Sequence, residues 1–311
     1  MSARLIIDTD PGQDDGVAIL TALGSPEIEL LGITTVAGNV PLERTTENAL
    51  KICELAGRSD LAVYAGAAAP MMRPLITAEH VHGKTGLEGP DLPAPTMKPR
   101  PTHAVDFIVE TLRHEPKGSV TLGVLGPMTN IGLAFAMAPD VIPRIARIVA
   151  MGGGHSEGGN TTPAAEFNIL VDPHAAARVF GSGVPITLMP LDVTHTCRTN
   201  AARIAAFRDL GTRPGIAVAE MLEFYDRHDA RKYGTEGGPL HDPTVIAWLL
   251  APEIFRGREV NVEIETGSEL TMGETVIDWW TVTDRPANAL VIREADDEAY
   301  FALLTERIGR L

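Results

Sequence analysis

Four carboxylates fall within eight positions of "DTDPGQDD" (residues 8–15), directly after the apolar run Leu5–Ile7. Mutual repulsion and desolvation oppose such crowding unless a cation or a reaction that needs carboxylates compensates for them. Pro11-Gly12 is a turn signal that folds the loop back, so that Asp10, Asp14 and Asp15 converge. Oxygen-only ligands select a hard cation, Ca²⁺ or Mg²⁺, over zinc. Capping of the following helix would use one of these acids, not three. The alternating ligands and terminal Glu of an EF-hand loop are absent.

Two later stretches could complete a site. In "PLHDPTVIAWLL" (239–250), Pro243 is placed like a first helical residue, which by itself makes Asp242 an N-cap. His241 beside it is either a general acid or an exposed imidazole. The stretch "MGGGHSEGGNTTPAAEFNILVDP" (151–173) is a strand end followed by a glycine-rich loop with Asn160, Glu166 and Asn168. It lacks both the Gly-Lys-Ser/Thr of a P-loop and the glycine spacing of a dinucleotide fingerprint. Amides and a carboxylate together suit a polyhydroxylated ligand better than a phosphate.

These residues need a scaffold that brings them together. Short Leu/Ile/Val-rich runs at 4–8, 29–36, 61–64, 120–126, 147–152 and 185–190 alternate with helical patterns near 15–23, 42–56, 102–114, 129–137, 173–181 and 200–208. Near-continuous apolar strands suit a sheet covered on both faces. The alternation predicts an α/β fold, a single domain with a mainly parallel central sheet flanked by helices. Ligands of such sheets bind beyond the carboxyl ends of the strands, where "DTDPGQDD" falls. After residue 210 the pattern shifts to helices near 214–231 and 242–251, then strands at 259–265 and 289–292 and a terminal helix, which reads as extra C-terminal strands and helices. The Pro/Gly-rich segment 83–101 is the longest stretch without periodicity, and loops of that length in compact domains are often functional.

Composition bounds the partners. A chain of 311 residues with 44% hydrophobic and 22% charged residues is that of an ordinary globular protein. The formal charge of −15 and the lack of a basic cluster argue against a nucleic-acid partner. No apolar run approaches the roughly 20 residues needed to cross a bilayer, and the start lacks a secretory pattern, so a cytoplasmic location without membrane contact is expected. Cys53 and Cys197 are too few and too far apart for a disulfide framework or a thiolate zinc site.

"DTDPGQDD" (8–15), "TTVAGNV" (34–40), "GPMTNI" (126–131), "MGGG" (151–154), "NTTPAAEFNILVDP" (160–173) and "HDP" (241–243) resemble, in order and spacing, the nucleoside hydrolases, and within them the inosine-uridine-preferring branch. The resemblance spans essentially all of 1–311 as one domain. It implies Ca²⁺-dependent hydrolysis of the N-glycosidic bond of ribonucleosides to ribose and free base, with one calcium ion per subunit. It also implies that Asp10, Asp15, Asp242 and the backbone carbonyl of Leu125 are the calcium ligands, and Asp10 the general base on calcium-bound water. Asp14, Asn39, Asn160, Glu166 and Asn168 would hold the ribose; His82 and His241 would face the nucleobase, with His241 as proton donor. A homodimer or homotetramer is expected.

One departure concerns the segment "EFYDRHDARKYGTEGG" (223–238), where related enzymes have a tyrosine-rich stretch. Tyr225 and Tyr233 are present, but Arg227 and His228 fall where aromatic hydroxyls would be expected. Two other readings compete. "IIDTD" also begins haloacid-dehalogenase-like phosphatases, with Asp8 as nucleophile, Asp10 as acid and Mg²⁺ as metal. A calcium-dependent nucleoside-binding protein without catalysis would use the same acids.

Overall fold

The computed structural model describes residues 3–233 and 237–311, the side chains of 227–233 excepted. Its strands are β1 (Ala3–Thr9), β2 (Ile28–Thr35), β3 (Val63–Ala65), β4 (Val120–Val124), β5 (Ile145–Met151), β6 (Ile186–Met189), β7 (Phe255–Val260), β8 (Val262–Ile264), β9 (Thr275–Ile277) and β10 (Ala289–Ala295). The main sheet runs β3-β2-β1-β4-β5-β6-β10-β7, parallel except where β7 pairs antiparallel with β10. This is the mainly parallel α/β sheet expected from the alternating pattern.

Strand β1 shows why the sheet must be covered on both sides. Leu5 and Ile7 join one hydrophobic core and Ile6 the other, because successive side chains point to opposite faces. The helix Gln13–Leu23 lies over the first core, and the helices Ala104–His114 and Thr129–Met137 over the second. From β1 the chain proceeds to β2 and β3 on one side, then returns to β4 on the other. The crevice between the carboxyl ends of β1 and β4 is therefore a topological switch point, the usual ligand site of an open α/β sheet.

The C-terminal third departs from expectation. The single strand expected over 259–265 is broken at Asn261, whose Nδ2 donates to Pro286 O at 3.0 Å. There the chain leaves the main sheet to form a small antiparallel ribbon of β8 with β9. The strand expected at 61–64 forms only from Val63, as Val63–Ala65. The short helices Glu79–His82, Phe167–Val171 and Leu191–Thr194, none of them expected, all end or begin beside the cleft described below. The segment 83–101 is irregular apart from a bridge between Arg100 and Tyr64. Both cysteines are free and buried, and burial pushes each thiol up to about 12. Among the described residues no helix is long and apolar enough to cross a membrane.

Candidate active site

The loop after β1 turns at Pro11-Gly12 and enters the helix Gln13–Leu23. Asp15 lies in its first turn and accepts hydrogen bonds from Gly12 N (2.9 Å), Asp10 N (3.3 Å), Asn39 Nδ2 (3.2 Å) and Thr9 Oγ1. Its bond to Gly12 N caps the helix, so capping and a place in the acidic cluster coexist in one residue. Asp10 is wholly buried; its Oδ2 accepts from Asn39 N at 2.7 Å, while Oδ1 has no hydrogen-bond partner among the described residues. A Cβ on Gly38 would come within 2.0 Å of Oδ2, and one on Gly126 within 2.1 Å of Oδ1, so the carboxylate is clasped by two glycines.

Asp242 arrives from the other end of the chain. It occupies the N-cap position of the helix Pro243–Leu250 but makes no capping hydrogen bond, contrary to the reading of that acid taken alone. Instead one oxygen each of Asp14, Asp15 and Asp242 lie within 4.8 Å of one another. Asp10 is outside this trio, yet close enough that the Asp15 and Asp14 carboxylates raise its pKa after burial does. Burial and then Asp15 push Asp14 up to about 8, and burial and then Asp14 raise Asp242 well above the carboxylate range. Four buried acids with the same shift and the same cause are an uncompensated negative centre. Their oxygens, including the unpartnered Oδ1 atoms of Asp10 and Asp14, fit a hard divalent cation. The Leu125 carbonyl borders the same cleft and accepts from Asn168 Nδ2 at 2.7 Å.

Above this floor, the cleft is lined by Asn39, Asn160, Glu166 and Asn168 together with His82, His195, Tyr225 and His241. Glu166 caps the helix Phe167–Val171: Oε1 accepts from Asn168 N at 2.9 Å, and Oε2 from Gly153 N at 2.9 Å and Ile169 N at 3.2 Å. Burial pushes its carboxyl up to about 7 against these donors. Asn160 Oδ1 accepts from Phe167 N at 3.0 Å. His82 Nδ1 lies 2.8 Å from Gln13 Oε1, and Gln13 Nε2 donates to His82 O and Glu88 O. His241 Nδ1 lies 2.7 Å from Thr194 Oγ1; burial, then the His195 and His82 imidazoles, hold its pKa well below the ordinary range.

Every expected site residue thus lies in the cleft wall or, for Asp10 and Asp15, directly behind it. Three groups were not anticipated. Gln13 sits inside the acidic motif but orients a histidine, Thr194 buttresses His241, and His195 enters the wall. The position of "DVTH" just after the apolar run 185–190 was the available signal, since carboxyl ends of parallel strands face the ligand. Tyr225 stands 5.6 Å, ring to ring, from His82; the side chains of Arg227, His228 and Tyr233 lie outside the described residues. Asp8, the nucleophile of the phosphatase reading, does not line the cleft; it is wholly buried, and its Oδ1 accepts from Thr34 Oγ1 at 2.6 Å and Asn130 Nδ2 at 2.8 Å.

Acids gathered at a switch point, under walls of amide, carboxyl and imidazole groups, define a hydrolase acting on a polyhydroxylated substrate with the help of a cation. Comparison with known proteins narrows that class. The chain belongs to the inosine-uridine preferring nucleoside hydrolase family, whose model matches residues 5–302. It is 56% identical over 308 residues to an uncharacterized protein of Schizosaccharomyces pombe, covering 99% of both chains. It is 46% identical to the pyrimidine-specific ribonucleoside hydrolase RihA of Salmonella paratyphi B, again over 99% of both. The solved purine-preferring ribonucleoside hydrolase of Gardnerella vaginalis superposes with a TM-score of 0.92 at 33% identity, with 98% of each chain covered. The protein is a hydrolase of N-glycosyl compounds, acting on ribonucleosides.

Proposed function

We propose that the protein is a calcium-dependent ribonucleoside hydrolase that prefers pyrimidine nucleosides and releases ribose and the free base. The observation that carries the reading is the convergence of Asp14, Asp15 and Asp242, with unpartnered buried oxygens on Asp10 and Asp14, at the floor of a cleft walled by ribose-type donors and acceptors. Asp10, Asp15, Asp242 and the Leu125 carbonyl are the proposed ligands, and Asp14 faces the ribose. A bound calcium ion would offset the buried charge and acidify the attacking water.

Asp10 would serve as the base toward the attacking water, its carboxylate held in one orientation by Asn39 N and the two flanking glycines. Asp14, Asn39, Asn160, Glu166 and Asn168 orient the sugar hydroxyls. As the glycosidic bond lengthens, positive charge builds on the ribosyl ring, and the surrounding carboxylates stabilise it. His241, oriented by Thr194, protonates the departing base, a contribution of roughly two to four orders of magnitude. The pyrimidine preference follows the RihA relative, which at 46% identity is nearer in sequence than the purine-preferring Gardnerella enzyme at 33%.

The chain works as one functional unit over residues 1–311, in the cytoplasm, as a homodimer or homotetramer without nucleic-acid or membrane partners. Free buried thiols fit a reducing compartment, and exposed Trp280, Val282 and Leu270 are apolar surface that a second copy could cover. The deciding experiment measures free ribose released from uridine, cytidine, inosine and adenosine, with and without a calcium chelator. Chelator-sensitive turnover with uridine or cytidine foremost is expected; binding without turnover would overturn the proposal.

A further inference from the structure

Beyond His82 and His241, the cleft carries a further imidazole, His195, whose surroundings hold it in place. His195 follows the helix Leu191–Thr194 at the carboxyl end of β6, and its ring lies 5.7 Å from that of His241. Its Nδ1 is 3.0 Å from Glu157 Oε2. The His195 and Glu157 side chains are 24% and 48% exposed, whereas His241 as a residue is 9% exposed, so the pair stands nearer the mouth of the cleft.

The loop that leads into Glu157 is held in place. Thr275 Oγ1 accepts from Gly154 N at 2.8 Å and donates to Gly154 O at 2.7 Å. The buried Asp192 carboxylate accepts from His155 N at 2.7 Å and Ser156 N at 2.9 Å, and Arg293 donates to Ser156 Oγ at 3.1 Å. Three consecutive residues are thereby pinned just before Glu157.

We propose that His195, oriented by Glu157, is a specificity-determining residue that reads the outer edge of the nucleobase. This inference rests on the nucleoside hydrolase reading of the same cleft. A carboxylate can only accept, so Nδ1 carries the proton of the neutral ring and Nε2 presents a lone pair. With ribose on the acidic floor and the base beside His241, Nε2 meets the far edge of the base. It favours a base that offers an amino group there, as cytosine does, over one that offers a carbonyl, as uracil does. Glu157 is a positioning residue that sets the tautomer.

The test is kcat/KM for cytidine, uridine and p-nitrophenyl riboside in the wild type, His195→Ala and Glu157→Gln. His195→Ala is expected to lose roughly tenfold or more on cytidine, and clearly less on p-nitrophenyl riboside, which has no amino edge. Glu157→Gln can donate to Nδ1 and so release the tautomer; the cytidine-to-uridine ratio is then expected to fall roughly tenfold while both are still cleaved. A merely structural loop contact would lower all three substrates together and leave the ratio in place. An unchanged ratio in both variants, with wild-type nucleoside turnover intact, overturns this assignment alone. A wild type that releases no ribose from any nucleoside overturns the hydrolase reading and this assignment with it.

Discussion

The Thr194 hydroxyl lies 2.7 Å from Nδ1 of His241, and both residues are buried. The bond fixes the ring plane and leaves Nε2 as the atom that the proposed acid would use toward the leaving base. Thr194→Val keeps the volume and strands a buried ring nitrogen, at a cost of about 1–3 kcal/mol. Steady-state kinetics are expected to show kcat for uridine falling roughly 10- to 100-fold, with a smaller loss for p-nitrophenyl riboside, whose leaving group needs no proton.

His241→Ala extends the same logic. Turnover of natural nucleosides is expected to fall by roughly two to four orders of magnitude, and that of p-nitrophenyl riboside far less. Asp10→Ala, by contrast, should abolish turnover of both, because the water must be deprotonated whatever departs. Equal losses for His241→Ala on the two substrates would remove it from the role of acid.

Gly126→Ala tests the clasp around Asp10. The added Cβ would come within 2.1 Å of Asp10 Oδ1, so the carboxylate must swing or the β4 loop must shift. A misplaced base of this kind costs roughly 100-fold or more in kcat. The loss should be the same for uridine and p-nitrophenyl riboside, the opposite of the Thr194→Val pattern.

Cation binding should be visible without catalysis. An ion that binds only the folded state stabilises it by about 2.7 kcal/mol at one hundred times its Kd. Thermal melts with calcium are therefore expected to shift upward by several degrees relative to chelator-treated protein. Asp15→Asn and Asp242→Asn should each abolish most of that shift. Equal melting temperatures with and without calcium would count against the carboxylate floor as a cation site.

The strands that carry the site were legible in the sequence because Leu5–Ile7 and the run 120–126 are buried on both faces and read as unbroken apolar stretches. The ribbon of β8 with β9 was not, since its strands have three residues each, too few to show a period. At the site, residue types and order found the acids and the wall amides. They did not find Gln13, Thr194 or His195, whose contributions depend on contacts 69, 47 and 38 positions away in the chain. Asp242 shows the limit from the other side: the local signal at Pro243 indicates a cap, and only the approach of Asp14 and Asp15 gives its carboxylate another partner.

That approach joins distant parts of the polypeptide. Asp14 and Asp15 belong to the first helix in the sequence, while Asp242 opens the helix Pro243–Leu250, which packs against it across the core. During synthesis the acidic pocket cannot exist until more than two hundred further residues have emerged and threaded the central sheet. A divalent cation held there would thus be no template for the early chain but a late clasp, closing only on a molecule whose helices Gln13–Leu23 and Pro243–Leu250 have already met.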